Sequence, residues 1–442
     1  MILFLSLNQT HLGIGNFTII DGENVSEQDL GNNFFVTVDS IGKSRAETTC
    51  SLLQELNPLT KGHFIAKVTF AIFFKIISKN PAELIEKDIN SFKQFTHIVA
   101  NSLPQAALVS LSKFCWENKI PLIVERSYGF VGYLRVIVPE HTIVESKPDN
   151  PPDDLRLAEP FEELVKYVDS FDLTSMDSTD HSHTPYIIIL LKAINDWRAS
   201  HGGQLPSTRP EKEEFKSIVI RGSRNAQEEN FNEAYRAAHK AFVKSTVPSS
   251  VSNILKDSNA TNITSTSSKF WILASALKGF VDNEGSGLLP LMGTIPDMTA
   301  GTNGYIALQK VYQDKSNADI SAVQARVKNI LQSIGKPESF ISFDEIKKFC
   351  KNSQFLQVVR YRSLQEELEN PKSLFQNQEL DTHLSFYIAL RAVDNFYAKH
   401  NRYPGDKDAT VESDVSEILK DSVDLVKKLN ATKFNNDHIV EL

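Results

Sequence analysis

Cysteine is nearly absent: Cys50, Cys115 and Cys350 are the 3 in 442 residues, far apart and with no CxxC spacing. Neither a disulfide framework nor a thiolate zinc site is encoded, and a reducing, cytoplasmic setting fits best. Glycine is also scarce, 19 residues or about 4% against an average of about 7%, as in helix-rich chains, because glycine disfavours helix interiors. A basic stripe is missing, and 47 basic against 55 acidic residues leave a net charge of −8. Such a chain has no electrostatic pull toward nucleic acid or an anionic membrane. No apolar run approaches the roughly 20 residues of a membrane span; the longest, Val68 to Ile77, is broken by Lys75. The apolar opening Met1 to Leu7 lacks the basic flank and small-residue cleavage site of a signal peptide.

What is present is ordinary globular material, 41% hydrophobic and 23% charged, enough for about two or three domains. Up to residue 145, short β-branched runs alternate with amphipathic stretches. Phe17 to Asp21, His97 to Ala100, Pro121 to Glu125 and Tyr133 to Val138 predict strands, with helices over Gly42 to Leu56 and Gln105 to Asn118. This alternation predicts an α/β layer with a parallel sheet. Ser146 to Pro160, rich in Pro and Asp, reads as a linker. From Phe161 to Leu442 the apolar period is helical, as in Tyr186 to Arg198, Phe270 to Val281 and Leu384 to Tyr397. The polar stretch Ser258 to Ser268 reads as a loop, with Ser267 or Ser268 capping the next helix.

Few residues offer chemistry. Gly13 and Gly15 precede a strand, the reverse of the order a phosphate-cradling loop needs. Asp21, at that strand's end, is either a ribose-binding carboxylate or a turn residue. Asp180-His181-Ser182-His183-Thr184-Pro185 places two imidazoles two residues apart. A metal site would need a third ligand that no spacing supplies, so a helix cap or a protein contact are the other readings. Cys115 reads as core, and Cys350 has basic neighbours, Lys347, Lys348 and Lys351, of the kind that lower a thiol pKa.

Several motifs together carry a resemblance: LGIGNFTIIDGENVSEQDLGNNFFVTVDSIG followed by Lys43-Ser44-Arg45-Ala46, then SYGFVGYLRV at Ser127 to Val136, PDNPPDDLRLAEPF at Pro148 to Phe161, the 180–185 turn, and GTIPDM at Gly293 to Met298. The first resembles the adenylation domain of ubiquitin-like-modifier activating enzymes. The set, over nearly the whole chain, resembles the regulatory subunits of the neddylation-activating enzyme.

The resemblance implies a partial Rossmann-like, ThiF-type adenylation fold over residues 1–145, a linker over 146–160, and a large helical domain over 161–442 without a catalytic cysteine motif. It implies a non-catalytic role in a cytoplasmic or nuclear heterodimer. There, ATP and Mg²⁺ belong to the catalytic subunit and this chain frames the cleft for the ubiquitin-like modifier. Carried over residue by residue, the contacts to the catalytic subunit fall on His183, Asp297, Met298, Tyr305, Ile306, Leu308 and Gln309, while Thr299 to Asn303 departs from the family pattern. Asp21 becomes a relic of a nucleotide site. Catalytic relatives carry Asn-x-x-Arg where this chain has Asp29-Leu30-Gly31-Asn32, and a site for phosphate charge needs cations.

Three departures from the family lead us to expect an incomplete or mis-spliced sequence: no N-terminal helix and first strand, no closing C-terminal segment, and an unmatched Phe64 to Lys79. Two other functions fit the same fold: a self-sufficient ThiF-like adenylyltransferase, which the missing cations and cysteine motif disfavour, and a helical adaptor without an enzymatic partner.

Overall fold

The computed structural model describes residues 15–66, 68–70, 75–77, 80–128, 131–149, 153–369, 382–405 and 410–429. The chain forms two compact units, one of residues 1–141 with 360–442, the other of 142–359.

In the first unit, β1 (Asn16–Ile20) leads to a helical turn, α1 (Asp29–Asn32), and to α2 (Arg45–Leu56). The Ser44 side chain accepts the Glu47 N–H and so caps α2, which starts it three residues later than its apolar pattern suggests. β2 (Lys61–Ile65) returns parallel to β1, with Phe64 opposite Ile19. β3 (Val68–Phe70) and β4 (Lys75–Ile77) form an antiparallel pair. After α3 (Pro81–Lys87) come β5 (Ile98–Asn101), α4 (Gln105–Asn118), β6 (Leu122–Tyr128) and β7 (Val131–Ile137). β5 runs parallel to β6, but β7 is antiparallel to it. The expected all-parallel arrangement fails there because two residues separate β6 from β7, and a connection that short joins only antiparallel strands.

Leu108, Leu111, Phe114 and Cys115 of α4 bury one face against Leu122, Val124 and Ile137. Leu364 of α15 (Leu364–Glu369) joins this core, and α16 (Thr382–His400) and α17 (Val411–Leu429) complete the unit. The tail from Arg360 on therefore belongs with the α/β part, which divides the single helical domain expected over 161–442.

Short strands β8 (Glu140–Ile143) and β9 (Gln357–Arg360) carry the two passages of the chain between units. The second unit is helical: α5 (Glu162–Asp169), α6 (Ser178–Ser182), α7 (Tyr186–Ser200), α8 (Arg209–Arg221), α9 (Glu229–Ala237), α10 (Ser249–Leu255), α11 (Ser258–Thr261), α12 (Lys269–Asp282), α13 (Thr302–Ser333) and α14 (Phe343–Lys351). One cluster gathers around α7, where Ile187, Ile188, Leu190 and Ile194 are fully buried. A second gathers around α12, which is buried on more than its predicted stripe, Ile272, Ala274 and Ala276 included. α13 spans both, giving Leu308 and Tyr312 to the first and Ile320, Val323 and Val327 to the second.

Two loop expectations are corrected. Asp257 caps Asn259 N–H and starts α11 inside the stretch read as irregular. Within the stretch read as a linker, residues 153–160 are packed: Leu155 and Leu157 sit in the first helical core, Ala158 is buried, and Arg156 donates from Nη2 to Leu289 O at 2.6 Å.

Candidate functional site

Asp21 lies just past β1, as the strand's apolar run predicts, and Arg45 opens α2 beside it. Arg45 Nε donates to Asp21 Oδ2 at 2.7 Å and Nη2 to Oδ1 at 3.1 Å. The third guanidinium nitrogen, Nη1, donates to Asp29 Oδ1 at 2.9 Å. Glu23 N–H takes the remaining capacity of Asp21 Oδ1 at 2.9 Å, and Ser26 donates to Asp29 through both N–H and hydroxyl. Burial works against the charge on Arg45, yet the two carboxylates raise its pKa above the ordinary value. Asp29 is lowered: burial opposes ionisation, but the Ser26 donors and Arg45 outweigh it. Asp29, read as a carboxylate that repels phosphate, is thus neutralised within the fold. Asp21 thus accepts three hydrogen bonds, two from Arg45 and one from Glu23, out of the roughly four a carboxylate can take.

The three thiols are free and buried. The basic neighbours of Cys350 do not lower its thiol pKa: it is 1% exposed, and burial, with Asp319 adding, pushes it up to about 12. Burial also pushes the Cys115 thiol up to about 12. Among the described residues no group of three or more His, Cys, Asp or Glu side chains could hold a metal ion. No helix among them is long and apolar enough to cross a membrane.

In the second unit the two imidazoles of the 180–185 turn part company. His181 is buried, its Nδ1 2.9 Å from Glu228 Oε1 and its ring stacked on Phe231 at 4.9 Å. His183 is exposed, with Nδ1 2.8 Å from Thr179 O. Its carbonyl accepts the Gly301 N–H at 2.9 Å, so the structure brings the turn and the segment after Met298 together. Asp297 and Ile306 are exposed, Ile306 by 56%, and Tyr305 and Gln309 half-buried. Met298 is almost buried, at 9%. Leu308 is corrected: it is 0% exposed and packs in the first helical core, so it supports this surface from beneath and offers a partner nothing to touch.

Sequence reasoning missed a set of charges inside the first unit. Arg126 and Arg135 project from β6 and β7 into a cavity of about 40 Å³ that Tyr387, Arg391 and Asp394 of α16 also line, room for about one water molecule. Arg126 pairs with Asp394 and donates to Leu103 O at 2.8 Å, and Arg135 pairs with Glu367. The available signal was an arginine inside one apolar strand run and another directly after the other, positions that demand a buried partner.

Comparison with known proteins gives the family of the chain. The model of the ThiF family matches residues 5–330. The NEDD8-activating enzyme E1 regulatory subunit of Xenopus laevis is 44% identical over 419 residues, covering 92% of this chain and 76% of that one. The regulatory subunit AXL of Arabidopsis thaliana is 41% identical, covering 94% and 78%, and that of Drosophila melanogaster 34% identical, covering 97% and 79%.

Proposed function

The chain belongs to the family of NEDD8-activating enzyme E1 regulatory subunits, on a ThiF fold, and from that premise we propose that it is itself non-catalytic. It docks the catalytic subunit through His183, Asp297, Met298, Tyr305, Ile306 and Gln309, and frames the cleft for the ubiquitin-like modifier. The catalytic subunit holds ATP and Mg²⁺ and performs adenylation and thioester formation. Asp21 is the relic of a nucleotide site. Free thiols suit the reducing cytoplasm or nucleus as the place of work.

The observation that supports this reading best is the Arg45–Asp21 pair. An adenylating site needs a carboxylate free for ribose and cations free for phosphate. Here the cation and the carboxylate satisfy each other at 2.7 and 3.1 Å.

ATP–pyrophosphate exchange tests it. The isolated chain should give no exchange with or without modifier, and adding the catalytic subunit should give modifier-dependent exchange. Exchange by the isolated chain would instead identify a self-sufficient adenylyltransferase. No complex with the catalytic subunit would favour an adaptor.

A further inference from the structure

The exposed residues of the docking surface come from two separate stretches, the 180–185 turn and the segment Asp297 to Gln309, and both are tied to one helix. Asn230 of α9 is fully buried, and its Nδ2 donates to His181 O at 2.8 Å and Thr184 O at 3.0 Å. Three residues on, Glu233 takes hold of the other stretch. Thr299 N–H donates to Glu233 Oε2 at 2.9 Å and the Thr299 hydroxyl to Oε1 at 2.8 Å. Positions three apart share a helix face, so Asn230 and Glu233 reach the two stretches from the same side.

The two oxygens of one carboxylate fix two donors of one residue, and bonds to an ionised acceptor are about twice as strong as neutral ones. On either side, Met298, still 9% exposed, packs against the core and Gly301 bonds to His183. Thr299 lies in a stretch without regular backbone structure, where ordering on binding would otherwise weaken a complex.

We propose that Glu233 is a positioning residue for the docking surface, holding Thr299 so that Asp297, Tyr305 and Ile306 stand in fixed relation to His183 before the catalytic subunit arrives. This rests on the reading of that surface given above.

The test uses the full chain and the catalytic subunit, with affinity measured by calorimetric titration and amide hydrogen exchange measured on the free chain. Thr299→Ser keeps both donors and should bind within twofold of the unchanged chain. Thr299→Val and Glu233→Gln should each weaken binding by about tenfold, and the double variant should be no weaker than the weaker single. The amides of Thr299 to Gly301 should exchange about tenfold faster in both variants, with those of α7 unchanged. Both variants binding within twofold of the unchanged chain would overturn the inference and leave the family reading intact. So would equal acceleration in α7, because the loss would then be global. Failure of the unchanged chain to bind overturns the docking reading and this role with it.

Discussion

Arg135 on β7 and Glu367 on α15, 232 residues apart, meet as fork on fork: Nη1 donates to Oε1 at 2.7 Å and Nη2 to Oε2. The Tyr387 hydroxyl of α16 donates to the same carboxylate. A strand, a short helix and a long helix are thereby fastened at one point, which is why the residues after Arg360 belong with the α/β unit.

Breaking that point should destabilise the unit. The two side chains are 17% and 7% exposed, and removing one partner of a buried pair typically costs about 3–5 kcal/mol because the other charge is stranded. Glu367→Leu is expected to lower the unfolding free energy by about that much, and Arg135→Met with Glu367→Leu together by less than the sum of the two. Urea unfolding checks this. A transition within about 1 kcal/mol of the parent for Glu367→Leu would show that the tail is held elsewhere.

The same pair should make the unit sensitive to acid. Burial by itself would raise the Glu367 carboxyl, but Arg135, then Tyr387 and Arg391, bring it below its ordinary 4.5. A carboxylate whose folded pKa lies below the unfolded value, about 4.3, contributes stability that is complete above that value and is lost as pH falls through the folded pKa. The stability gap between the chain and Glu367→Gln should therefore be widest near pH 7, begin to narrow as pH falls toward the unfolded value of about 4.3, and close only below the folded pKa. A gap independent of pH would contradict it.

Regular elements were legible wherever local sequence decides structure. Gln105–Asn118 is helical from end to end as its pattern says, since Pro104 before it and left-handed Lys119 after it set both limits. Asp21 at a strand end was legible too, whereas the approach of His183 to the segment after Met298 was not. What escaped was non-local. Arg126 and Asp394 lie 268 residues apart, and no period connects them. Leu155 and Leu157 hide among Pro and Asp, so a stretch with loop composition became core. Arg45 stood in the quoted motif, but its grip on Asp21 needed the fold to bring α2 beside the end of β1.

No thiol should react in the folded chain. Cys50, Cys115 and Cys350 are each 3% exposed or less, and burial raises all three pKa values, so the nucleophilic thiolate is scarce and screened. With a chromogenic disulfide reagent at pH 8, the native chain is expected to give no fast phase and the denatured chain 3 thiols. Stoichiometric labelling of one cysteine in the native chain would reopen a thioester-forming role.

Ile306 and Leu308 should separate binding from folding. They are two residues apart on α13, yet Ile306 is 56% exposed while Leu308 is sealed among the residues around α7. A partner can touch only the first. Leu308→Ala leaves a cavity and should cost about 2–5 kcal/mol of stability, seen as a lower unfolding midpoint, while complexes formed well below that midpoint keep their affinity within about threefold. Ile306→Asp leaves no cavity and should move stability by no more than about 0.5 kcal/mol. It places a charge where the partner would bury an apolar side chain, which should weaken the complex with the catalytic subunit at least about tenfold. The reverse pattern, with Ile306→Asp binding normally and Leu308→Ala failing to bind while folded, would remove this face of α13 from the interface.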